Sequence, residues 1–171
     1  MVDKSINNLK RGIQLEQEKQ SSISLFKKKS MSSMEVRLHD KLADTLRNRD
    51  WKGCLNHRMK AVKGYSDLGE KEKSYRIRLK YAFDLHDSGK LKESLDELDD
   101  IISRLESKGI ITGINACEFE KARIYEDMGK YKDAENILKS IIERSEEIDD
   151  EIALKRANSM IEKILNKMGR R

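Results

Sequence analysis

A metal site or a nucleophile–base pair in this sequence would have to be built from His39, His57, His86, Cys54 and Cys117. Zinc ligands recur at short, characteristic spacings. Here the three histidines fall in separate candidate helices, and neither cysteine has a ligand-spaced neighbour. A reactive thiol needs a base or a positive environment to hold the thiolate. Cys117 has no histidine near it in sequence, and Cys54 stands where a small packing residue is expected. The glycines fall at turns and form no phosphate-cradling loop. The reading is therefore no catalytic residue, no metal and no cofactor. Each histidine is expected at the surface or half-buried, and Cys54 as an inert buried thiol.

What remains is charge. The chain of 171 residues has a net charge of +5, unevenly spread. Residues 1–74 carry 17 Lys and Arg against 10 Asp and Glu, a net +7; residues 75–148 carry 13 against 17, a net −4. Such asymmetry speaks to partners rather than to fold. Lys27, Lys28 and Lys29, in "SLFKKKS", are the densest basic cluster and the candidate contact for nucleic acid. The acidic run "SEEIDDE" at 145–151 reads as a solvated connection in which Asp149 or Asp150 can cap a helix.

These side chains have to be positioned by helices. The composition is 39% charged and 5% aromatic, with 9 Gly and no Pro, whereas all-β chains need many Gly and Pro turns. No apolar run approaches the roughly 20 residues that span a membrane, and the N-terminus lacks the apolar core of a secretory signal. With two unpaired cysteines, a cytoplasmic protein is expected.

The helical pattern repeats. "EDMGKYKDAENILKSIIE" at 126–143 matches "HDSGKLKESLDELDDIISR" at 86–104 with an offset of 40: Gly129 over Gly89, Tyr131 over Leu91, Ala134 over Ser94, Leu138 over Leu98, and Ile141-Ile142 over Ile101-Ile102. A further 40 residues back, Trp51 falls under Leu91, Cys54 under Ser94 and Leu55 under Leu95. Each unit opens with another helix that carries a small residue, Ala43, Ala82 or Ala122. Small residues let antiparallel helices approach closely, Gly permits a tight exit from the first helix, and the large residue after the turn packs the end of the hairpin. Trp51 is thus expected in a packing role.

These residues resemble the tetratricopeptide repeat (TPR) family, which alternates two helices with small-residue, aromatic and Gly positions. The likeness covers about residues 36–148. It departs from the family in its period of 40 rather than about 34, and in having no Pro to end the unit, so a related solenoid with a period near 40 residues stays open. The fold class is all-α: an antiparallel helix-hairpin solenoid of about three repeats, over residues 32–171, closed by a helix at 148–168. That last helix is expected to turn Ile148, Ile152, Met160, Ile161, Ile164 and Leu165 inward. Residues 1–31 form a basic helical extension, and Ser32 with Glu35 makes a capping-box pattern at the first repeat.

The resemblance implies a partner held against the first helices of the hairpins. Removing core positions leaves Arg37, Asp40, Lys41, Asp44 and Arg47 on the first, Arg76, Lys80, Phe83 and Asp87 on the second, and Ala116, Glu120, Arg123 and Asp127 on the third. Arg37, Lys41, Arg47, Arg76, Lys80, Phe83 and Arg123 are the candidate binding residues, with Phe83 as an apolar anchor. The alternative is that these charges pair within their own helices. The carboxylate-clamp pattern of one TPR subset is absent. The function expected is a non-enzymatic adaptor holding an acidic peptide or helix of another protein. Two other readings stand beside it: a nucleic-acid-associated factor acting through the basic N-terminal half, and a self-assembling subunit pairing through residues 1–30.

Overall fold

The computed structural model describes residues 2–23 and 30–169. Among them are eight helices and no strand: α1 Val2–Ile23, α2 Ser33–Leu46, α3 Trp51–Asp67, α4 Lys71–Asp87, α5 Leu91–Glu106, α6 Ile111–Asp127, α7 Tyr131–Glu147 and α8 Glu151–Lys167.

The spacing behind the repeat is finer than one hairpin. From α3 onward, helices of 16 or 17 residues begin every 20 residues. α3 to α7 each end the same way. The amide after the left-handed residue returns to a carbonyl five residues back: Glu70 to Tyr65 at 3.0 Å, Lys90 to Leu85 at 2.9 Å, Ile110 to Leu105 at 3.1 Å, Lys130 to Tyr125 at 2.8 Å and Asp150 to Ser145 at 2.9 Å. This closure needs positive φ. Gly129 supplies it at +71°, and so do Gly69, Gly89 and Gly109. At the fifth connection Asp149 adopts φ +55°, a conformation its short polar side chain tolerates. The α2–α3 connection, residues 47–50, is different, with Asn48 at φ +65°.

The chain divides into two compact units, Met1–Lys90 and Leu91–Arg171. In the first, α1 packs on α2, α2 on α3 and α3 on α4. Ile6, Leu9 and Ile13 of α1 join Leu42, Ala43, Leu46 and Cys54 in one cluster, with Trp51 against it. The apolar stripe of α1 is thus occupied within its own unit. Gln17 also donates to Glu35 at 2.8 Å, and Ser32 Oγ donates to Glu16 at 3.1 Å. A second cluster of Val36, Ala61, Tyr65 and Ile77 ties α2, α3 and α4. Ser32 caps α2 by accepting from the Glu35 amide at 3.1 Å. In place of the reciprocal half of the capping box, the Ser32 amide donates to the Gln20 side-chain oxygen at 2.6 Å, while the Glu35 carboxylate accepts from Gln17.

In the second unit, α5 packs on α6, α6 on α7 and α7 on α8, with α8 also reaching α6. Its core holds Phe119, Ala122, Ala134, Leu138, Ile141, Ala153, Ala157 and Ile164. A fully buried Leu or Ile side chain contributes about 1.5–3 kcal/mol, and the two 0% exposed alanines, Ala122 and Ala134, let α6 and α7 meet closely enough to bury Leu138 and Ile141. Asp150 caps α8 by accepting from the Ala153 amide at 3.0 Å. The inward face expected of the last helix fails at two residues: Ile148, just before α8, is 38% exposed, and Ile152 is 82% exposed. The helix instead turns Ala153, Ala157 and Ile164 inward, flanked by Met160 and Ile161. A 3.6-residue period starting from Ala153 runs through Ala157 and Ile164, which leaves Ile152 on the outside.

Candidate functional site

The charged face predicted on α2 and α4 is built around a residue that had not been singled out. Arg58 of α3 is 1% exposed. Its Nε donates to Asp84 at 2.7 Å, and its two terminal nitrogens donate to Asp40 and Asp44. Asp84, of α4, is also buried, and Arg47 reaches it at 3.4 Å and pairs with Asp87. Lys80 Nζ lies 3.3 Å from Asp40 and 3.4 Å from Asp44. Three helices are therefore joined by one network of three cations and four carboxylates. Burial alone would lower the pKa of Arg58, but Asp84 and Asp44 outweigh that and push it up, so the guanidinium stays charged.

Pairing within one helix holds for Arg123 but not for Arg47 and Lys80, which pair across helices at sequence separations of about 40 residues. Arg37, Lys41 and Arg76 are exposed and have no ion pair among the described residues. Phe83 is half-buried on α4. Arg123 lies in the second unit, exposed, and donates to Glu120 within α6 at 2.8 Å. Glu120 itself is 2% exposed, so it does not belong to a solvated face. Lys27, Lys28 and Lys29 lie outside the described residues.

The repeat register carried the signal for Arg58. With the offset of 40, it stands where Leu98 and Leu138 stand, and both are 0% exposed. A charge in a core register forces partners around it.

The histidines differ from expectation in a second way. His39 and His86 are buried, not superficial. His39 and His57 face each other across α2 and α3 with Nδ1···Nδ1 at 2.7 Å and stacked rings whose centroids are 4.9 Å apart. Burial, with the neighbouring His57 and Lys60, lowers His39 to about 4, and burial lowers His57 as well. His39 also forms part of the wall of a ≈ 790 Å³ cleft shared with Gln17, Glu35, Lys60 and Lys63. None of the predicted binding residues lines it.

Both cysteines are buried and free, and burial pushes each thiol up to about 12. Both are therefore protonated and poor nucleophiles near neutral pH. Among the described residues no cluster of three or more His, Cys, Asp or Glu could hold a metal ion, and no helix is long and apolar enough to cross a membrane.

No family model matches the chain, and no curated protein matches it. Among solved structures, it is similar to a Podospora anserina protein assigned as a kinesin light chain and built of nearly identical TPR-like repeats, with a TM-score of 0.74 at 12% identity, over 98% of this chain and 79% of that one. The Q17M variant of that protein gives the same values. The fold is a TPR-like repeat. Within that TPR-like repeat fold, Ala43, Ala82 and Ala122 are the small residues of the first helices, all 0% exposed, and Cys54, Ser94 and Ala134 are their 0% exposed counterparts on the second helices. At 12% identity the likeness lies in this helical framework.

Proposed function

We propose that the chain is a non-enzymatic protein-interaction module that holds an acidic peptide or helix on the α2–α4 face of its first unit. The observation that supports this reading is the division of labour among its cations. Arg47, Arg58 and Lys80 are engaged by the chain's own carboxylates. Arg37, Lys41 and Arg76 stand exposed around that network without internal partners among the described residues. An acidic segment would meet them without first displacing an internal ion pair, and the network would keep their helices in register. Phe83, beside them on α4, offers an apolar contact. Such rim charges contribute chiefly to encounter rate and salt dependence, while a central apolar contact adds affinity. In the second unit Arg123 is a further candidate contact. The buried, protonated thiols suit a reducing compartment, and we place the module in the cytoplasm.

The test is binding of fluorescent acidic helical peptides, followed by anisotropy at low and physiological salt. In the double variant Arg37→Glu/Arg76→Glu, affinity for the best binder should fall tenfold or more with an unchanged helical circular-dichroism spectrum. Undiminished binding by the folded variant would place the contact elsewhere.

A further inference from the structure

The His39–His57 pair has no part in the binding face, yet its two rings are stacked and joined by a direct hydrogen bond. A hydrogen bond between two Nδ1 atoms at 2.7 Å requires one ring to carry its proton on Nδ1 and the other to leave Nδ1 bare. The two histidines are therefore in opposite tautomers. A first proton can enter at the free Nε2 of the donor ring and leave the bond intact. A second has only the accepting Nδ1 to go to. That would set two N–H groups head to head and stack two positive rings with centroids 4.9 Å apart.

Burial and the nearby ammonium groups oppose charging of the pair. From α1, Lys10 acts against a charged His57; from α3, Lys60 acts against both rings. Asp50, at the start of α3, favours a charged His57. Glu35, one turn ahead of His39 on α2, is hydrogen bonded to Gln17 of α1, and Lys63 and Asp67 share the adjoining cleft.

We propose that the His39–His57 pair is a proton-operated latch: neutral, it clamps α2 to α3 beneath α1, and uptake of two protons releases this end of the first unit. In the released chain both histidines titrate near the ordinary value of about 6.5, whereas in the closed unit His39 is held down to about 4. The latch is therefore fully closed above pH 6.5 and is lost progressively as the pH falls from there towards 4, with up to two protons taken up.

Trp51, packed against residues of α1, α2 and α3, reports the opening. Its emission is followed from pH 8 to 3.5 in the native chain and in His39→Asn/His57→Asn, whose amides can keep a hydrogen bond without taking up a proton. His86 is present in both and cancels. The native chain should open between pH 6.5 and 4, and the midpoint of the variant should fall by at least one pH unit. An unchanged midpoint would assign the transition to carboxylates and overturn the proposal. Should the variant not fold at pH 7, the histidine ring resonances of the native chain decide. If at least one ring stays neutral until Trp51 reports opening, the latch stands. If both titrate near 6.5 while the unit is closed, it falls.

Discussion

Gly64 shows how a single missing Cβ fixes the distance between two helices. It sits inside α3, where Ala would ordinarily be favoured by about 1 kcal/mol. A Cβ built there overlaps Val36 Cγ2 and lies 2.9 Å from Met31 Cε. Val36 is 0% exposed and β-branched, so it has little room to move aside. Overpacking of this kind costs about 1–3 kcal/mol, which outweighs the gain in propensity. Gly12, inside α1, makes the control. There a Cβ would meet only the flexible end of Leu38, at 3.1 Å. Urea unfolding should show Gly64→Ala less stable by about 1–2 kcal/mol, with Gly12→Ala neutral or more stable. If both substitutions stabilise, α2 and α3 are not held at the distance that Val36 and Gly64 define.

Among the elements, α2, α3 and α4 are joined by Arg58 in a way that α5 and α7 are not, because Leu98 and Leu138 fill the corresponding positions. Removing one member of a buried ion pair is expensive chiefly because the other is left charged and unpaired, whereas replacing both by apolar residues is often neutral. Arg58→Leu alone should therefore cost about 3–5 kcal/mol. The register offers a partner change: α6 carries the 0% exposed Ile124 forty residues after Asp84. Arg58→Leu/Asp84→Ile should recover most of that loss in a double-mutant cycle, and additive losses would show that Asp84 is not the main group stranded by the single change. This network also marks what was legible in the sequence. The repeat, the small residues at Ala43, Ala82 and Ala122 and the cap at Ser32 could be read because they are local and periodic, and the last cap could be narrowed to Asp149 or Asp150. Pairing across helices could not, because Lys80 and Asp40 are 40 residues apart and meet only once α2 and α4 are placed. The same holds for His39 and His57, 18 residues apart on facing helices. On α8, Met160, Ile161 and Ile164 were legible, but Ile152 was misassigned because alanines, not this larger residue, carry the contact in the first turns, and hydrophobicity alone ranks them the other way.

For the whole molecule, the two units carry different acid-sensitive groups, and this separates their pH responses. The first has the histidine pair, whose contribution begins to fade below pH 6.5. The second has Glu126 of α6, which is 7% exposed and receives Lys163 at 2.9 Å and Lys167 at 2.6 Å from α8. Burial by itself would raise this carboxyl, but the two ammonium groups outweigh it and hold the pKa below the ordinary 4.5. A carboxylate depressed in the folded state stabilises fully above its unfolded value and loses that contribution as the pH falls through the folded one. The tie between α6 and α8 should thus survive down to about pH 4.5, well after His39 and His57 have begun to take up protons. Hydrogen exchange of the full chain, labelled at a series of pH values and corrected for intrinsic rates, reads the two units separately. Protection in α1, α2 and α3 should decline between pH 6.5 and 4, while that in α6, α7 and α8 holds until below 4.5 and then declines. In Glu126→Gln the second decline should flatten, with the first left where it was. Simultaneous loss of protection in all six helices would mean that one titration governs the chain, and that neither the histidine pair nor Glu126 acts on its own unit alone.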